Sequence, residues 1–251
     1  MIDTNFVRSF AVYWIFIGLV LFPVLFFVKQ PYGRHMRKGW GPTIQNNTAW
    51  LIMELPALMV FILAVYCTDN ISGFVIFAAS LWILHYVHRT LIFPFRLKTR
   101  GKKMPLVIVV SGICFNFVNA SLNGIVLSNN DPGIDSQPDK FRIIAGLTLF
   151  VSGMCINIIS DNYLIHLRKN STNGYQIPHK YLFKWISCPN FFGEIIEWAG
   201  FAILAFNPAA LSFLVWTIVN LVPRAMNHHI WYKRTFAEYP VNRKALIPFI
   251  L

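Results

Sequence analysis

The sequence predicts an all-α membrane protein with seven transmembrane helices, its N-terminus outside and its C-terminus in the cytoplasm. Of the 251 residues, 56% are hydrophobic and 13% are charged, whereas a soluble domain carries about 25% charged residues. The 22 Lys and Arg residues collect in the segments between apolar stretches. Because the charge follows these loops, the formal net charge of +12 indicates membrane orientation and not binding to nucleic acid.

Seven stretches have the apolar length of about 20 residues that a bilayer crossing needs. They are residues 6–28, 49–67, 71–95, 105–127, 143–166, 190–206 and 208–227. The first has no small-residue cleavage site and is expected to remain as a span. A short Asn207-Pro208 break separates the last two, since Pro ends one helix and can begin the next.

Basic residues concentrate in alternate loops, which fixes the predicted orientation. Eighteen of the 22 Lys and Arg residues lie there: Lys29, Arg34, Arg37, Lys38, Arg96, Lys98, Arg100, Lys102, Lys103, Arg168, Lys169, Lys180, Lys184, Arg224, Lys233, Arg234, Arg243 and Lys244. The opposite side carries Asp69, Asp131, Asp135 and Asp139, with Lys140 and Arg142 as exceptions. The positive-inside rule then places the N-terminus outside and the C-terminus inside, which requires an odd number of spans.

The four cysteines are scattered and form no CxxC pair, so neither a disulfide framework nor a metal site is expected. They are Cys67, Cys114, Cys155 and Cys188.

Polar residues recur at helical spacing in the later spans, so that each set shares one helix face. The sets are Asn116, Asn119 and Asn123; Asn157, Asp161 and Arg168; Asn190, Glu194 and Glu197; and Arg224, His228 and Tyr232. Hydrogen bonding between helices would explain the asparagines equally well. The carboxylates beside basic residues favour a water-accessible cavity in the cytoplasmic half.

A cavity rimmed by Arg, Lys and amide side chains suits a large anionic cofactor, because these groups bind phosphates and hydroxyls. The chain contains neither a G-x-G-x-x-G nor a P-loop sequence. Any dinucleotide is therefore expected to bind within the helical bundle itself.

Two polar residues inside earlier spans are candidates for the chemistry, Glu54 and Tyr86. Tyr86 can donate a hydrogen bond to a carbonyl and stabilise developing enolate charge. An apolar surrounding disfavours the ionised form of Glu54, which could share a proton with Tyr86 or with a substrate carbonyl. His85 and His88 flank the tyrosine without an assigned role, and Arg89 is expected to anchor an interior carboxylate.

Several separated blocks, in order along the chain, resemble the steroid 5-alpha-reductase (3-oxo-5-alpha-steroid 4-dehydrogenase) family. The resemblance begins near residue 30 and is strongest after residue 150. Its blocks are Glu54-Leu55-Pro56, His85-Tyr86-Val87-His88-Arg89-Thr90, Asn157-Ile158-Ile159-Ser160-Asp161, Asn190 through Trp198, and Tyr239-Pro240 with Arg243 through Phe249.

This resemblance implies one membrane domain over residues 1–251, with the substrate on the N-terminal spans and the cofactor on about residues 143–251. It implies NADPH-dependent reduction of the 4,5 double bond of a 3-oxo-4-ene steroid. Glu54 and Tyr86 match the pair that binds the 3-ketone, and Trp50 and Asn116 are expected beside the substrate. Residues matching the cofactor site are Asn157, Asp161, Arg168, Tyr175, Asn190, Glu194, His228 and Tyr232, to which the polar stripe adds Arg224.

Three positions depart from the family pattern. Met53, Gln176 and Ser111 stand where members have Gln, Arg and a basic residue. The first change affects substrate placement, and the other two weaken the expected grip on a phosphate, so NADH remains an alternative to NADPH.

Other functions compatible with the sequence are reduction of another unsaturated lipid, such as an enoyl thioester, a polyprenol or a sterol, and lipid methylation by a related helical fold. A transporter or a seven-span receptor is a further alternative, against which stands the absence of internal repeats. A monomer is expected, in a bacterial inner membrane or the endoplasmic reticulum, with the cofactor site facing the cytoplasm.

Overall fold

The structure, a computed structural model, describes residues 3–68, 71–97, 99, 101–129, 139–169 and 175–251. Within these ranges the regular structure is helical apart from two short strands. The elements are α1 (Thr4–Phe27), β1 (Thr43–Gln45), α2 (Asn46–Tyr66), α3 (Gly73–Val87), α4 (Phe93–Arg96), β2 (Lys103–Pro105), α5 (Leu106–Ser128), α6 (Lys140–Lys169), α7 (Pro189–Ala205) and α8 (Pro208–Thr235). Of the residues used to predict orientation, Asp69, Lys98, Arg100, Asp131 and Asp135 lie outside the described residues.

Within the described residues, six helical segments have the length and apolar composition needed to cross a bilayer, which agrees with the prediction of an all-α membrane protein. They are α1, α2, Gly73–Arg96, α5, α6 and α8. The third comprises α3, a π-helical turn at His88–Ile92, and α4. The remaining predicted span is α7, which has 17 residues and extends about 26 Å at 1.5 Å per residue. This is slightly less than the hydrocarbon thickness of about 30 Å, so the count of seven stays a prediction.

Helices α6 and α7 run antiparallel in direct backbone contact. Gly146 lies against Gly200, and Gly153 lies against Gly193; a Cβ at Gly146 would come within 2.8 Å of the Gly200 carbonyl oxygen. Small residues allow this approach where helices associate in a membrane. The pairing places the second half of α6 beside the start of α7, and so brings their polar faces together.

The centre of the bundle is an aromatic cluster around Trp82 of α3, which is fully buried. Its ring packs on Phe61, Trp198 and Phe213 at centroid distances of 4.8, 5.0 and 4.8 Å. The indole Nε1 donates a hydrogen bond to the Ala57 carbonyl oxygen at 3.0 Å. These contacts join α2, α3, α7 and α8, and their large apolar area stabilises the arrangement.

Helix α1 has mainly exposed apolar side chains, as expected of a lipid-facing span. It packs on α8 through Trp14 and Trp216, whose ring centroids are 4.7 Å apart. The Trp216 Nε1 group also donates a hydrogen bond to the Trp14 carbonyl oxygen at 2.9 Å. Gly18 allows this approach, since a Cβ there would lie 3.1 Å from the Trp216 ring.

The segment after α8 returns to the residues just before α7 and pairs with them. Lys244 N donates to the Trp185 carbonyl oxygen at 2.9 Å, and Ser187 N donates to the Lys244 carbonyl oxygen at 2.8 Å. Ser187 and Cys188 in turn line the central cavity. The tail therefore supports one wall of that cavity.

Candidate active site

A cavity of about 610 Å³ lies inside the bundle, within the usual range of small-molecule sites. All but one of the site residues predicted from the sequence line it. These are Trp50, Glu54, Tyr86, Asn116, Asp161, Arg168, Tyr175, Asn190, Glu194, Arg224, His228 and Tyr232. Residues of α2, α3, α5, α6, α7 and α8 and of the loops between them thus converge on one space, although Trp50 and Tyr232 are about 180 positions apart in the chain.

Glu54 of α2 is held by Asn116 of α5. The Asn116 Nδ2 group donates to Glu54 Oε2 at 3.3 Å and to the Met53 carbonyl oxygen at 2.7 Å. The hydrogen bond between Glu54 and Tyr86 that the sequence left open is not formed among the described residues. The Glu54 carboxyl group therefore faces the cavity with one amide partner.

Tyr86 is 4% exposed and lines the cavity. Its ring packs on Trp82, His85 and Trp198 at centroid distances of 5.1, 5.0 and 5.9 Å. Within the described part of the chain its hydroxyl makes no hydrogen bond, so it can donate one to a ligand. The π-helical turn that follows at His88–Ile92 is a distortion that often occurs at functional sites.

Arg89 lies in this π-helical turn and binds two carboxylates, as the sequence predicts. Its Nη1 is 3.3 Å from Asp161 Oδ2 and its Nη2 is 3.9 Å from Glu194 Oε2. Asn190 Nδ2 donates to the other Asp161 oxygen at 3.0 Å. One cation facing two carboxylates, with an amide completing the set, gives each buried charge a partner.

Asn157, predicted as a cofactor residue, does not line the cavity. It is 2% exposed and lies where α6 and α7 are in close contact, since a Cβ at Gly193 would come within 2.6 Å of Asn157 N. Its Nδ2 donates to the Asn190 carbonyl oxygen at 3.0 Å and to Glu194 Oε2 at 3.2 Å. It therefore holds two cavity residues in place.

Three other residues of the polar stripes also lie off the cavity wall. Glu197 is fully buried and contacts His85 at 2.7 Å. Asn119 accepts a hydrogen bond from Trp14 Nε1 at 3.3 Å, and Asn123 donates to the Asn119 carbonyl oxygen at 3.0 Å. Asn119 thus joins α5 to α1, as the alternative interpretation of that stripe expected, whereas the Asn123 hydrogen bond stays within α5.

A cation cluster, defined by Arg34, Lys102 and Arg168, surrounds Tyr175. Lys102 Nζ donates to the Tyr175 hydroxyl at 2.8 Å, and the guanidinium carbons of Arg34 and Arg168 are 4.9 and 5.4 Å from its ring centroid. Burial alone would raise the pKa of Tyr175, but the Lys102 hydrogen bond and the nearby arginines lower that pKa below its usual value. Within the described ranges no carboxylate forms an ion pair with Arg34 or Lys102, so this end of the cavity attracts anions.

Arg34 is the cavity residue that the sequence reasoning missed most clearly, since it counted only as a loop charge. Its guanidinium group also lies over Trp231 and Tyr232, at 4.7 Å from each ring centroid. The adjacent His35 stacks on His228, with Nε2 and Nδ1 3.0 Å apart. The only local signal was the Tyr32-Gly33-Arg34-His35 run of aromatic and basic residues.

Comparison with known proteins shows the family of this chain. Residues 102–251 match the family model described as 3-oxo-5-alpha-steroid 4-dehydrogenase. The chain is 38% identical over 256 residues to a steroid 5-alpha-reductase of Arabidopsis thaliana, covering 99% of this chain and 98% of that protein. It is 35% identical to 3-oxo-5-alpha-steroid 4-dehydrogenase 1 of Bos taurus over 94% of this chain and 93% of the relative. The human protein of the same name is 36% identical over 87% of this chain and 85% of its own. The chain therefore belongs to the 3-oxo-5-alpha-steroid 4-dehydrogenase family of membrane oxidoreductases.

Proposed function

We propose that the protein is an NADPH-dependent reductase of the 4,5 double bond of 3-oxo-4-ene steroids. The observation that carries this proposal is that one cavity is lined both by Glu54 and Tyr86, whose side chains can donate to a carbonyl, and by a cation cluster. Among the described residues, neither Arg34 nor Lys102 of that cluster has an acidic partner. The names of the relatives supply the substrate class. An enone and a dinucleotide that bind in the same cavity can react directly, without bulk water between them.

The proposal includes seven crossings, with α7 as the sixth and the N-terminus outside. Its support is that α7 runs antiparallel to α6 in backbone contact from Gly146 to Asn157, with a side-chain hydrogen bond from Asn190 to Asp161 beyond that. Helix α7 therefore traverses much of the same depth as α6. Glu197 faces the protein interior and Glu194 the polar cavity, where carboxylates are tolerated. With this orientation the cation cluster faces the cytoplasm, where dinucleotides are available.

The residues present fit NADPH. Arg34 Nη1 and Arg224 Nε are buried and lack a hydrogen-bond partner in the described structure, and both residues line the cavity. Buried donors of this kind are costly unless a ligand satisfies them, and phosphate oxygens would do so. Asp161, Asn190 and Glu194 offer acceptors and donors for amide and hydroxyl groups. When bound, NADPH supplies a hydride, the two-electron reductant that saturation of a double bond requires.

The residues of the chain then have separate tasks. Tyr86 donates a hydrogen bond to the 3-oxo oxygen, and Glu54 in its protonated form donates a second. As hydride adds to carbon 5, both donors stabilise the negative charge that develops on that oxygen, and carbon 4 takes a solvent-derived proton. Arg89 keeps Asp161 and Glu194 oriented and lowers the cost of placing them in the membrane.

Product analysis tests this proposal. Membranes containing the protein, incubated with NADPH and a panel of enones, should convert a 3-oxo-4-ene steroid to its 5-alpha-dihydro product. Tyr86→Phe should lower turnover by about 10²- to 10³-fold, the usual effect of removing one oxyanion donor, and leave dinucleotide affinity unchanged.

Tyr13→Phe is a matched control, because Tyr13 is 65% exposed on α1. Turnover of an enoyl thioester or a polyprenol in place of the steroid would reassign the substrate. Wild-type membranes without reductase activity on any of these lipids would overturn the proposal, and full activity of Tyr86→Phe would remove Tyr86 from the mechanism.

A further inference from the structure

The proposed reaction leaves unused a buried hydrogen-bonded pair beside the cavity, His85 of α3 and Glu197 of α7. His85 Nδ1 lies 2.7 Å from Glu197 Oε1, and the two residues are 4% and 0% exposed. Neither is among the residues that line the cavity. Burial of a carboxyl group inside a membrane bundle is costly. We therefore expect Glu197 to have a role other than contact with substrate or cofactor.

Glu197 is fixed from behind. A Cβ at Gly153 of α6 would collide with the backbone of Glu197 and of Gly193, so α6 is in contact with the main chain from which the carboxylate projects. Glu197 Oε2 has no hydrogen-bond partner among the described residues. The orientation of the carboxylate is therefore set by the helix pair on one side and by His85 on the other.

His85 in turn forms one wall of the aromatic cage around Tyr86. Its ring meets the Tyr86 ring edge to face, at a centroid distance of 5.0 Å and an interplanar angle of 73°, and it lies 4.7 Å from Trp198. The other two walls, Trp82 and Trp198, are tilted against Tyr86. Edge-to-face contacts of this kind have a preferred geometry and resist rotation of the rings.

The hydroxyl group of Tyr86 makes no hydrogen bond within the described structure, as noted above. Its direction into the cavity is consequently decided by the packing of the ring alone. If the His85 ring could rotate freely, the Tyr86 hydroxyl could also change position. Misplacement of a reacting group by about 1 Å can lower a reaction rate by about 10²-fold.

From these contacts we infer that Glu197 and His85 are positioning residues for Tyr86, which act by locking the imidazole wall so that the phenol points at the substrate carbonyl. This inference rests on the proposed carbonyl reduction and adds two residues to it that touch neither steroid nor dinucleotide. The carboxylate acts on the hydroxyl through two contacts, from carboxylate to imidazole and from imidazole to phenol.

Glu197→Gln is the first test, since it keeps the shape of the side chain and replaces the carboxyl group that contacts His85 Nδ1 with a neutral amide. The kcat for the steroid should fall by about 10-fold or more, while KM for NADPH and the thermal midpoint in detergent stay close to wild type. His85→Phe should have a similar effect. The double variant should be no slower than the slower single variant, because both changes act through the same wall.

A spectroscopic test does not depend on turnover. With NADP⁺ in place of NADPH, the infrared band of a ¹³C-labelled 3-oxo steroid should shift to lower frequency on binding to wild type. The shift should shrink in Tyr86→Phe and in Glu197→Gln alike. Thr68→Ala is the control, because it removes a 2.9 Å hydrogen bond to Ser128 that lies away from the cavity.

The outcomes separate the two proposals. Absence of enone reduction by wild type contradicts the proposed function, whatever the variants do. An active wild type together with an unchanged kcat and carbonyl band in Glu197→Gln overturns the positioning role. Two results together would indicate a purely structural role instead. Glu197→Gln would lower the thermal midpoint and the cofactor affinity along with kcat, and the kcat loss of the double variant would equal the product of the losses in Glu197→Gln and His85→Phe.

Discussion

Replacement of Lys102 by Met should change the choice between NADPH and NADH. Lys102 lines the cavity and donates to the Tyr175 hydroxyl at 2.8 Å, and no carboxylate in the described ranges forms an ion pair with it. The 2′-phosphate of NADPH carries a charge of about −1.5 to −2 at neutral pH. If the cation cluster binds this phosphate, one charged hydrogen bond is lost in the variant, which is worth about 1.5–3 kcal/mol.

Since about 1.4 kcal/mol corresponds to a factor of ten, the Kd for NADPH should rise by about 10- to 100-fold. NADH lacks the phosphate, so its Kd should stay within about threefold on the same argument. Titration calorimetry or fluorescence titration of the purified protein with both dinucleotides measures the two constants. Lys103→Met is a matched control, because Lys103 is the next residue in the chain, is exposed and does not line the cavity.

A parallel loss of NADPH and NADH binding would refute this reasoning, because it would place Lys102 at a phosphate that both dinucleotides share. An unchanged Kd for both would remove Lys102 from the cofactor site. Tyr175→Phe separates the lysine from its partner, as it removes the hydroxyl and keeps the ring that lies beside the three cations. It should weaken NADPH binding less than Lys102→Met.

Three more outcomes follow from the site. Glu54→Gln keeps a hydrogen-bond donor toward the carbonyl and should retain part of the steroid turnover; complete loss in a product assay would mean that Glu54 must transfer a proton. Asn157→Ala removes the donor to Asn190 and Glu194. Although Asn157 does not line the cavity, the Kd for NADPH should rise by about 10-fold, which corresponds to the loss of a hydrogen bond to a charged group. An unchanged Kd in the titration would contradict this. Burial, with Arg34 and Lys29 nearby, lowers the pKa of His35 from 6.5 to about 4. The unfolded chain therefore binds a proton at higher pH than the folded one, so the free energy of unfolding should fall as the pH drops from about 6.5 to about 4, and His35→Asn should flatten that dependence in thermal melts.

The sequence was sufficient to predict the helical membrane class and to single out Glu54 and Tyr86, which line the cavity, because both have local signals. Apolar length marks a span, and a glutamate or a tyrosine beside basic residues stands out within one. The same local reasoning did not show that Asn157, a predicted cofactor residue, lies off the cavity wall. Helical spacing shows which residues share a face, but that face is divided between cavity and neighbouring helix by the contact of Gly153 with Gly193, which no periodicity reveals.

The cation cluster shows the opposite limit. Arg34 and Lys102 belong to different loops and were visible in the sequence only as charges that orient the membrane spans. They meet at Tyr175 because the strands Thr43–Gln45 and Lys103–Pro105 pair and draw the two loops together. Such a meeting depends on contacts between distant segments, which a single sequence does not display.

By itself, then, the sequence determined what kind of environment each segment occupies, since the cost of exposing apolar groups to water or burying charge in lipid acts residue by residue. The tertiary structure alone decided which polar groups face one another: Arg89 toward Asp161 and Glu194, and His85 toward Glu197. The physical reason is that a buried charge is stable only beside a partner, and the partner is chosen by close packing of helices that are far apart in the chain.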